Sequence, residues 1–422
     1  MYTFAIAFYT FIVRLIAPFH KKARKMVKGQ RNTFRILTEN IQPGASYIWF
    51  HAASLGEFEQ GRPLMERIKA QHPEYRILLT FFSPSGYEVR KNYEGADIVC
   101  YLPFDLPHHV RRFLQLARPA MAIFIKYEFW MNYLTALDKR QVPTYIISAV
   151  FRPHQIFFRW YAKRYKRVLN MFDKLYVQDT ASTELLTKNR INRVVTCGDT
   201  RFDRVLDIRA RAKKLPILKA FTTDATGGKI FTLVAGSSWP KDEEIIIPYF
   251  NDYPGMKLII APHEIHEGHL QEIISRLKRP FLLYTEANEE NVKEVDCLII
   301  NCFGLLSSSY EYGEVAYVGG GFGAGIHNVL EAAVYGIPVI FGPNFYKFRE
   351  AKALIESGGG FSIHTADEFN DRMRTFTASP EILMDAGTRA GNYVSSNGGA
   401  TEVILKDIFE IRNRCNPSPN LE

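Results

Sequence analysis

Glu314-Val-Ala-Tyr-Val318-Gly319-Gly320-Gly321-Phe-Gly323-Ala-Gly325-Ile-His327-Asn328-Val329-Leu330-Glu331-Ala-Ala333 is the stretch that decides the fold. The apolar run from Glu314 to Val318 reads as a buried strand. A glycine loop follows it, and then a helical pattern from Asn328 to Tyr335 that stops at Gly336-Ile-Pro338. Strand, glycine loop and helix start together make an anion site, because glycine lets a ligand approach the backbone and free N–H groups point at negative charge. The loop does not fit G-x-x-x-x-G-K-[ST], which argues against a P-loop. Asn328 and Glu331 lie three apart, where both can face a ligand. A carboxylate there suits sugar or ribose hydroxyls better than phosphate, so the loop reads as a nucleotide-sugar site. The competing reading is a tight strand-to-helix turn without a ligand.

Outward from this loop, strand and helix patterns alternate. Candidate strands in the second half are 230–235, 257–261, 281–284, 297–300, 315–318 and 338–341, with helices at 242–249, 267–276 and 328–335. The first half repeats the pattern, with strands at 47–50, 76–82, 98–102, 120–125, 144–148 and 174–177 and helices at 61–71, 85–92 and 108–116. This alternation implies α/β architecture with parallel, doubly wound sheets. The pattern fades at Thr222-Thr-Asp-Ala-Thr-Gly-Gly228, which places a linker at 211–228. The expected division is therefore 1–31, 32–210, 211–228, 229–400, and a C-terminal helix and tail at 401–422. Ligands in such sheets lie beyond the carboxyl ends of the strands. Two facing Rossmann-like domains would turn that location into an interdomain cleft.

The 422 residues allow two to three domains with ample core. Five scattered cysteines without a C-x-x-C fit a reducing compartment rather than a disulfide framework. A net charge of +9 favours anionic partners. Tyr2 to Phe19 is apolar except for Arg14, and six Lys or Arg follow between His20 and Arg31. The basic residues follow the apolar run instead of preceding it, so this is not a signal peptide. The run is short of the roughly 20 residues that span a bilayer. It reads as a membrane-anchor helix with a cytoplasmic basic collar. Further basic and aromatic residues, Phe151 to Arg167, suit a membrane surface or a phosphorylated lipid, with RNA binding as the alternative and a solvated helix with a buried aromatic face as the plain reading.

The first half carries a different chemistry. The strand ending at Phe50 runs into His51-Ala-Ala-Ser54-Leu-Gly56-Glu57, and another strand runs into Lys126-Tyr-Glu128-Phe-Trp130. Glu57 and Glu128 thus lie at one sheet edge, where two carboxylates can divide base and electrostatic roles. A rival reading makes Ser54 the nucleophile of a serine hydrolase, since Ala-Ala-Ser54-Leu-Gly56 nearly matches G-x-S-x-G. That leaves the glycine loop unexplained. His263, His266 and His269 recur every three residues, but nothing completes a zinc site. The absence of Asp-x-Asp argues against a divalent-cation clamp.

His51-Ala-Ala-Ser-Leu-Gly-Glu57, Glu128-Phe-Trp-Met-Asn132, Gly198-Asp-Thr-Arg-Phe-Asp203, Gly236-Ser-Ser-Trp239, Gly319-Gly-Gly with His327-Asn-Val-Leu-Glu331, and Phe341-Gly-Pro343 occur in this order. Together they resemble the 3-deoxy-D-manno-octulosonic acid (Kdo) transferase family, over nearly the whole chain. The resemblance implies a two-domain GT-B glycosyltransferase that needs no cofactor or metal and binds no nucleic acid. It implies CMP-Kdo as donor, the tetraacyl precursor of lipid A as acceptor, inversion at the anomeric carbon, and work at the cytoplasmic face of the inner membrane. By position, the family's proton acceptor falls on Glu57, and its transition-state residues fall on Glu128 and Arg201, where the family usually has lysine. CMP contacts fall on Pro262, His263, Phe303, Gly304, Leu305, Gly320, Asn328, Val329, Leu330 and Glu331. The family's Pro-Arg-His is here Pro262-His263-Glu264, which removes an arginine, and Lys347 replaces an asparagine and restores positive charge. Leu305 stands where the family has an acidic residue.

Overall fold

The computed structural model of the protein describes residues 1–160 and 163–415. The chain forms two compact units, Met1–Arg204 with the segment from Gly398 onward, and Val205–Asn397. The first holds strands β1 (Ser46–Ala52), β2 (Tyr75–Phe81), β3 (Ile98–Tyr101), β4 (Met121–Ile125), β5 (Thr144–Ala149), β6 (Lys174–Val177) and β7 (Val194–Thr196), in the spatial order β3-β2-β1-β4-β5-β6-β7. All its pairings are parallel. The apolar runs that announced these strands are buried on both faces, as helices on both sides of a parallel sheet require. The indole of Trp49 anchors one face against Phe113, Phe124 and Tyr133.

The second unit holds β8 (Thr232–Ser238), β9 (Lys257–Pro262), β10 (Phe281–Leu283), β11 (Cys297–Ile299), β12 (Val315–Val318), β13 (Val339–Phe341) and β14 (Gly360–Ser362), in the order β10-β11-β9-β8-β12-β13-β14. This sheet too is parallel throughout. The strand order reverses between β1 and β4 in the first unit and between β8 and β12 in the second. Crevices for ligands open at such switch points.

Four expectations change. The segment 1–31 is not a separate anchor domain. Its helix Tyr2–Ile16 turns by 116° into a second helix, Lys21–Asn40, and no single helix among the described residues is long and apolar enough to cross a membrane. The second helix packs on β3, where Thr33 Oγ1 donates to the Tyr101 carbonyl at 2.7 Å and Leu37 enters the core. Gly29 lets the Tyr101 ring lie against the helix backbone, since a β-carbon would come within 2.2 Å of it.

The expected linker 211–228 lies inside the second unit. Helix Pro216–Phe221 buries Leu218 and Phe221. Asp224 gathers the N–H groups of Thr226 and Gly228, which makes the polar run a tight turn rather than a joint. The chain re-enters the first unit at Gly398, where helix Ala400–Cys415 places Ile404, Leu405 and Ile408 in that core. The tail from 416 lies outside the described residues. Finally, the helix expected from Asn328 to Tyr335 is one turn, Leu330–Ala333, ended by Gly336 at φ +75°.

Candidate functional site

At the β1–β4 switch point, the helix Leu55–Gln71 begins directly after Ser54 and carries Glu57 in its first turn. The Glu57 carboxylate accepts the backbone N–H of Ala53 at 2.5 Å. Burial, and next the negative charge of Glu128, push its proton affinity up to about 7; the Ala53 N–H, His51 and Lys126 act against that rise. A carboxyl so placed can take and release a proton near neutrality.

Glu128 is buried at 8% exposure, just past β4. Its Oε2 accepts the indole N–H of Trp130 at 2.6 Å and lies 2.9 Å from Nε2 of His51. His51 is wholly buried in β1, and its Nδ1 meets Thr80 Oγ1 at 2.9 Å. The structure thus brings Glu57, Glu128, His51 and Lys126 into one electrostatic group. Arg201 carries its own counter-charge. Its guanidinium is held by Asp199, with Nε and a terminal nitrogen 2.9 and 2.8 Å from Oδ2.

The rival nucleophile Ser54 caps the helix without a side-chain hydrogen bond, and the neighbouring imidazole of His51 is occupied by Thr80 and Glu128. In the stretch 151–167, Phe151 and Phe157 belong to the first unit's core, while Trp160 is exposed. Residues 161–162 of that stretch lie outside the described residues.

At the β8–β12 switch point, the glycine loop folds on itself. The N–H groups of Gly323 and Gly325 go to the Gly320 carbonyl, that of His327 goes to Gly319, and that of Gly320 goes to Asp242 at 2.9 Å. The expected cradle of free N–H groups is therefore largely spent within the loop. Gly319 and Gly321 serve close backbone packing: a β-carbon would come 2.2 Å from the Ser237 carbonyl at the first and 2.6 Å from Gly342 at the second.

Asp242 is the buried organiser of this end. It also accepts the Trp239 N–H at 3.0 Å and the Tyr317 hydroxyl at 2.7 Å. Trp239 donates its indole N–H to Nε2 of His327 at 3.2 Å, and the exposed ring of His263 stacks on both, at 4.7 and 4.4 Å. Burial, and next the neighbouring His263, push His327 down to about 4, so it is a neutral acceptor at pH 7. Pro262 ends β9 beside this stack, paired with Ser238.

Asn328 Nδ2 donates to Glu331 at 3.1 Å, and Ser307 donates to the other carboxylate oxygen at 2.9 Å. The pair expected to face a ligand together does stand together. Val329 and Leu330 are wholly buried, which leaves only their backbone for a ligand. Phe303 and Gly304 are exposed, Gly304 with φ +85°, and Leu305 is half-buried. Lys347 is exposed on a loop tied to the glycine loop by Asn344, whose N–H and side-chain amide donate to Gly321 and Gly323. The three recurring histidines do not converge: His263 stacks on Trp239, while His269 is buried against Glu243 at 3.0 Å.

Sequence reasoning gave no role to His51, Asp199 or Asp242. A signal existed for two of them. His51 interrupts an apolar strand, and Asp242 stands three residues after Trp239 at a helix start, where a carboxylate caps N–H groups.

The profile of the family described as 3-Deoxy-D-manno-octulosonic-acid transferase (kdotransferase) matches residues 23–204. The 3-deoxy-D-manno-octulosonic acid transferase of Aquifex aeolicus (strain VF5) is 30% identical over 360 residues, which is 83% of this chain and 92% of that protein. Among solved structures, UDP-GlcNAc 2-epimerase from Neisseria meningitidis bound to UDP-GlcNAc aligns with a TM-score of 0.59 at 12% identity, covering 86% of this chain and 100% of that one. MurG of Acinetobacter baumannii aligns with a TM-score of 0.52 at 11% identity, covering 86% and 99%. At such identities the likeness is one of fold, two parallel-sheet α/β units of the GT-B type. The sequence relationship carries more: the chain belongs to the 3-deoxy-D-manno-octulosonic acid (Kdo) transferase family and is a glycosyltransferase.

Proposed function

We propose that this chain transfers Kdo from CMP-Kdo to the lipid A precursor, with inversion, without a metal ion, and with Glu57 as the base. The observation that carries this reading is the Glu57 carboxyl, poised near neutrality at the β1–β4 switch point. An acceptor hydroxyl gives its proton to Glu57 as its oxygen bonds to the anomeric carbon of Kdo. The bond from that carbon to the CMP phosphate oxygen breaks, and CMP leaves with the electron pair. Only one phosphate departs, and the exposed Lys347 offers it positive charge in place of Mg²⁺. His263, Asn328 and Glu331 hold the nucleoside, with the half-buried Trp239–His327 pair behind the imidazole.

The acceptor is a lipid, and the first unit offers a membrane-facing surface. Phe4, Phe8, Phe11 and Leu15 are exposed along one face of helix Tyr2–Ile16. Beside it, Arg14, Arg24, Lys28 and Arg31 line a cavity of about 410 Å³. Apolar face and basic rim together suit a helix lying in the cytoplasmic interface of the inner membrane.

The test is transfer of Kdo from freshly generated CMP-Kdo to lipid A precursor in EDTA, comparing wild type with Glu57→Gln. Product is expected from the wild type, with a loss of at least 100-fold in the variant, the order typical of general-base removal. Normal turnover in Glu57→Gln would remove the base from Glu57. Dependence of the wild type on added metal would overturn the metal-free mechanism.

A further inference from the structure

Every hydrogen bond around the buried His51 ring can be assigned a donor. The Thr80 hydroxyl lies 3.2 Å from the Phe50 carbonyl and accepts the indole N–H of Trp49 at 2.8 Å. Its oxygen lies 2.9 Å from Nδ1 of His51, where either atom could donate, and the Thr80 backbone decides which. The Thr80 carbonyl, 3.2 Å from the same nitrogen, can only accept, so Nδ1 donates. On the other side, Nε2 lies 2.9 Å from Oε2 of Glu128. Two lone pairs cannot face each other at that distance in a buried site, so a proton lies between them. The Trp130 indole N–H lies 2.6 Å from that carboxylate oxygen and 3.1 Å from Nε2; its shorter contact is the one to Glu128, which favours the carboxylate form and leaves the proton on the ring.

We propose that His51 is a positioning residue for the transfer: as an imidazolium it neutralises Glu128, so that the Glu128 charge no longer raises the proton affinity of Glu57. The proposal rests on the reading of Glu57 as the base. The charged groups that act most strongly on Glu57 are Glu128, His51 and Lys126. With His51 charged, each of the two carboxylates has a cation to balance it. With His51 neutral, the Glu128 charge acts on Glu57 uncompensated, and Glu57 holds its proton to higher pH, where it is no base. Thr80, Trp49 and Trp130 fix the ring, so the charge stands at a set place beside Glu128.

The deciding measurement is the two-bond ¹H–¹⁵N spectrum of the histidine-labelled full chain at pH 8, with His51 assigned by its loss in His51→Gln. An ordinary histidine is neutral there. Protonation of both ring nitrogens of His51 is the expected result, and a singly protonated ring overturns the proposal. The second measurement is the pH profile of kcat/KM. His51→Gln should move the acid limb upward by about one pH unit, close to a tenfold loss below the limb, and adding Glu128→Gln should bring it back down. A histidine with a merely structural role would lower the rate without moving the limb, so an unmoved limb in folded His51→Gln also overturns the proposal. If Glu57→Gln kept full turnover, the base assignment would fall, while the ring spectrum would still decide the charge on His51.

Discussion

A glutamate at the start of a helix is ordinarily a surface residue that complements the helix dipole. Glu57 becomes something else because its neighbours are Glu128 and a partly dry crevice. Its proton affinity is raised on folding, so in the folded state it costs stability once it ionises. The sign follows: stability tied to this group is present at low pH and is lost as pH rises through about 7. Glu57→Gln should therefore be more stable than wild type at pH 8, by about 2 kcal/mol, with the difference vanishing near pH 4. Urea melts at the two pH values would show this, and equal stability at pH 8 would mean that the carboxyl is better solvated than its surroundings indicate. Glu57 and Glu128 were both legible as candidates, since each follows an apolar strand. Their coupling through a buried histidine was not, because Thr80, His51 and Glu128 come from three different strands or their loops.

Among the elements, the two N-terminal helices show how far composition reaches. The apolar run and basic run were visible as such, but their turn at Ala17 to His20 and the docking of the second helix on β3 depend on tertiary contacts. The first helix buries Thr10 and Val13 and leaves Phe8 and Phe11 outward, at 59% and 63% exposure. Phe8→Ser with Phe11→Ser should weaken binding to phosphatidylglycerol vesicles at least tenfold, since each buried Phe contributes about 1.5–3 kcal/mol. Transfer to a soluble acceptor analogue should be unchanged. Unaltered vesicle flotation would remove this face as the membrane contact. The glycine loop teaches the reverse lesson. Its residue types pointed to ligand N–H groups, yet the same glycines first serve to bring β8, β12 and the segment after β13 within backbone contact.

In the whole molecule, the C-terminal segment closes the first unit. Asp203 accepts the N–H groups of Gly399 and Thr401 and the Thr401 hydroxyl, at 2.5, 2.6 and 2.6 Å. Further along, Asp407 meets Lys174 and Tyr176, and Phe409 stacks on His72 at 3.6 Å. Asp203→Ala should cost about 2–3 kcal/mol, because three hydrogen bonds to one carboxylate are lost and two backbone donors are left to water. Hydrogen exchange should show helix Ala400–Cys415 opening before the rest of the unit. Exchange unchanged from wild type would mean that the apolar residues Ile404, Leu405 and Ile408 hold the helix by themselves.

The sequence by itself determined that the chain is α/β, where twelve of the fourteen strands among the described residues lie, and which two sheet edges carry carboxylates and glycines. Parallel strands buried on both faces are continuous apolar runs, and ligand-facing loops follow their carboxyl ends, so both are local patterns. The half-buried edge strand β7 and the short β14 escaped because neither carries such a run. Tertiary structure alone decided which carboxylate shares a proton with His51, that Asp242 ties the glycine loop to Trp239, and that the chain's end returns to its first unit. Those outcomes depend on desolvation and on hydrogen bonds between residues up to 233 positions apart, which no local pattern encodes.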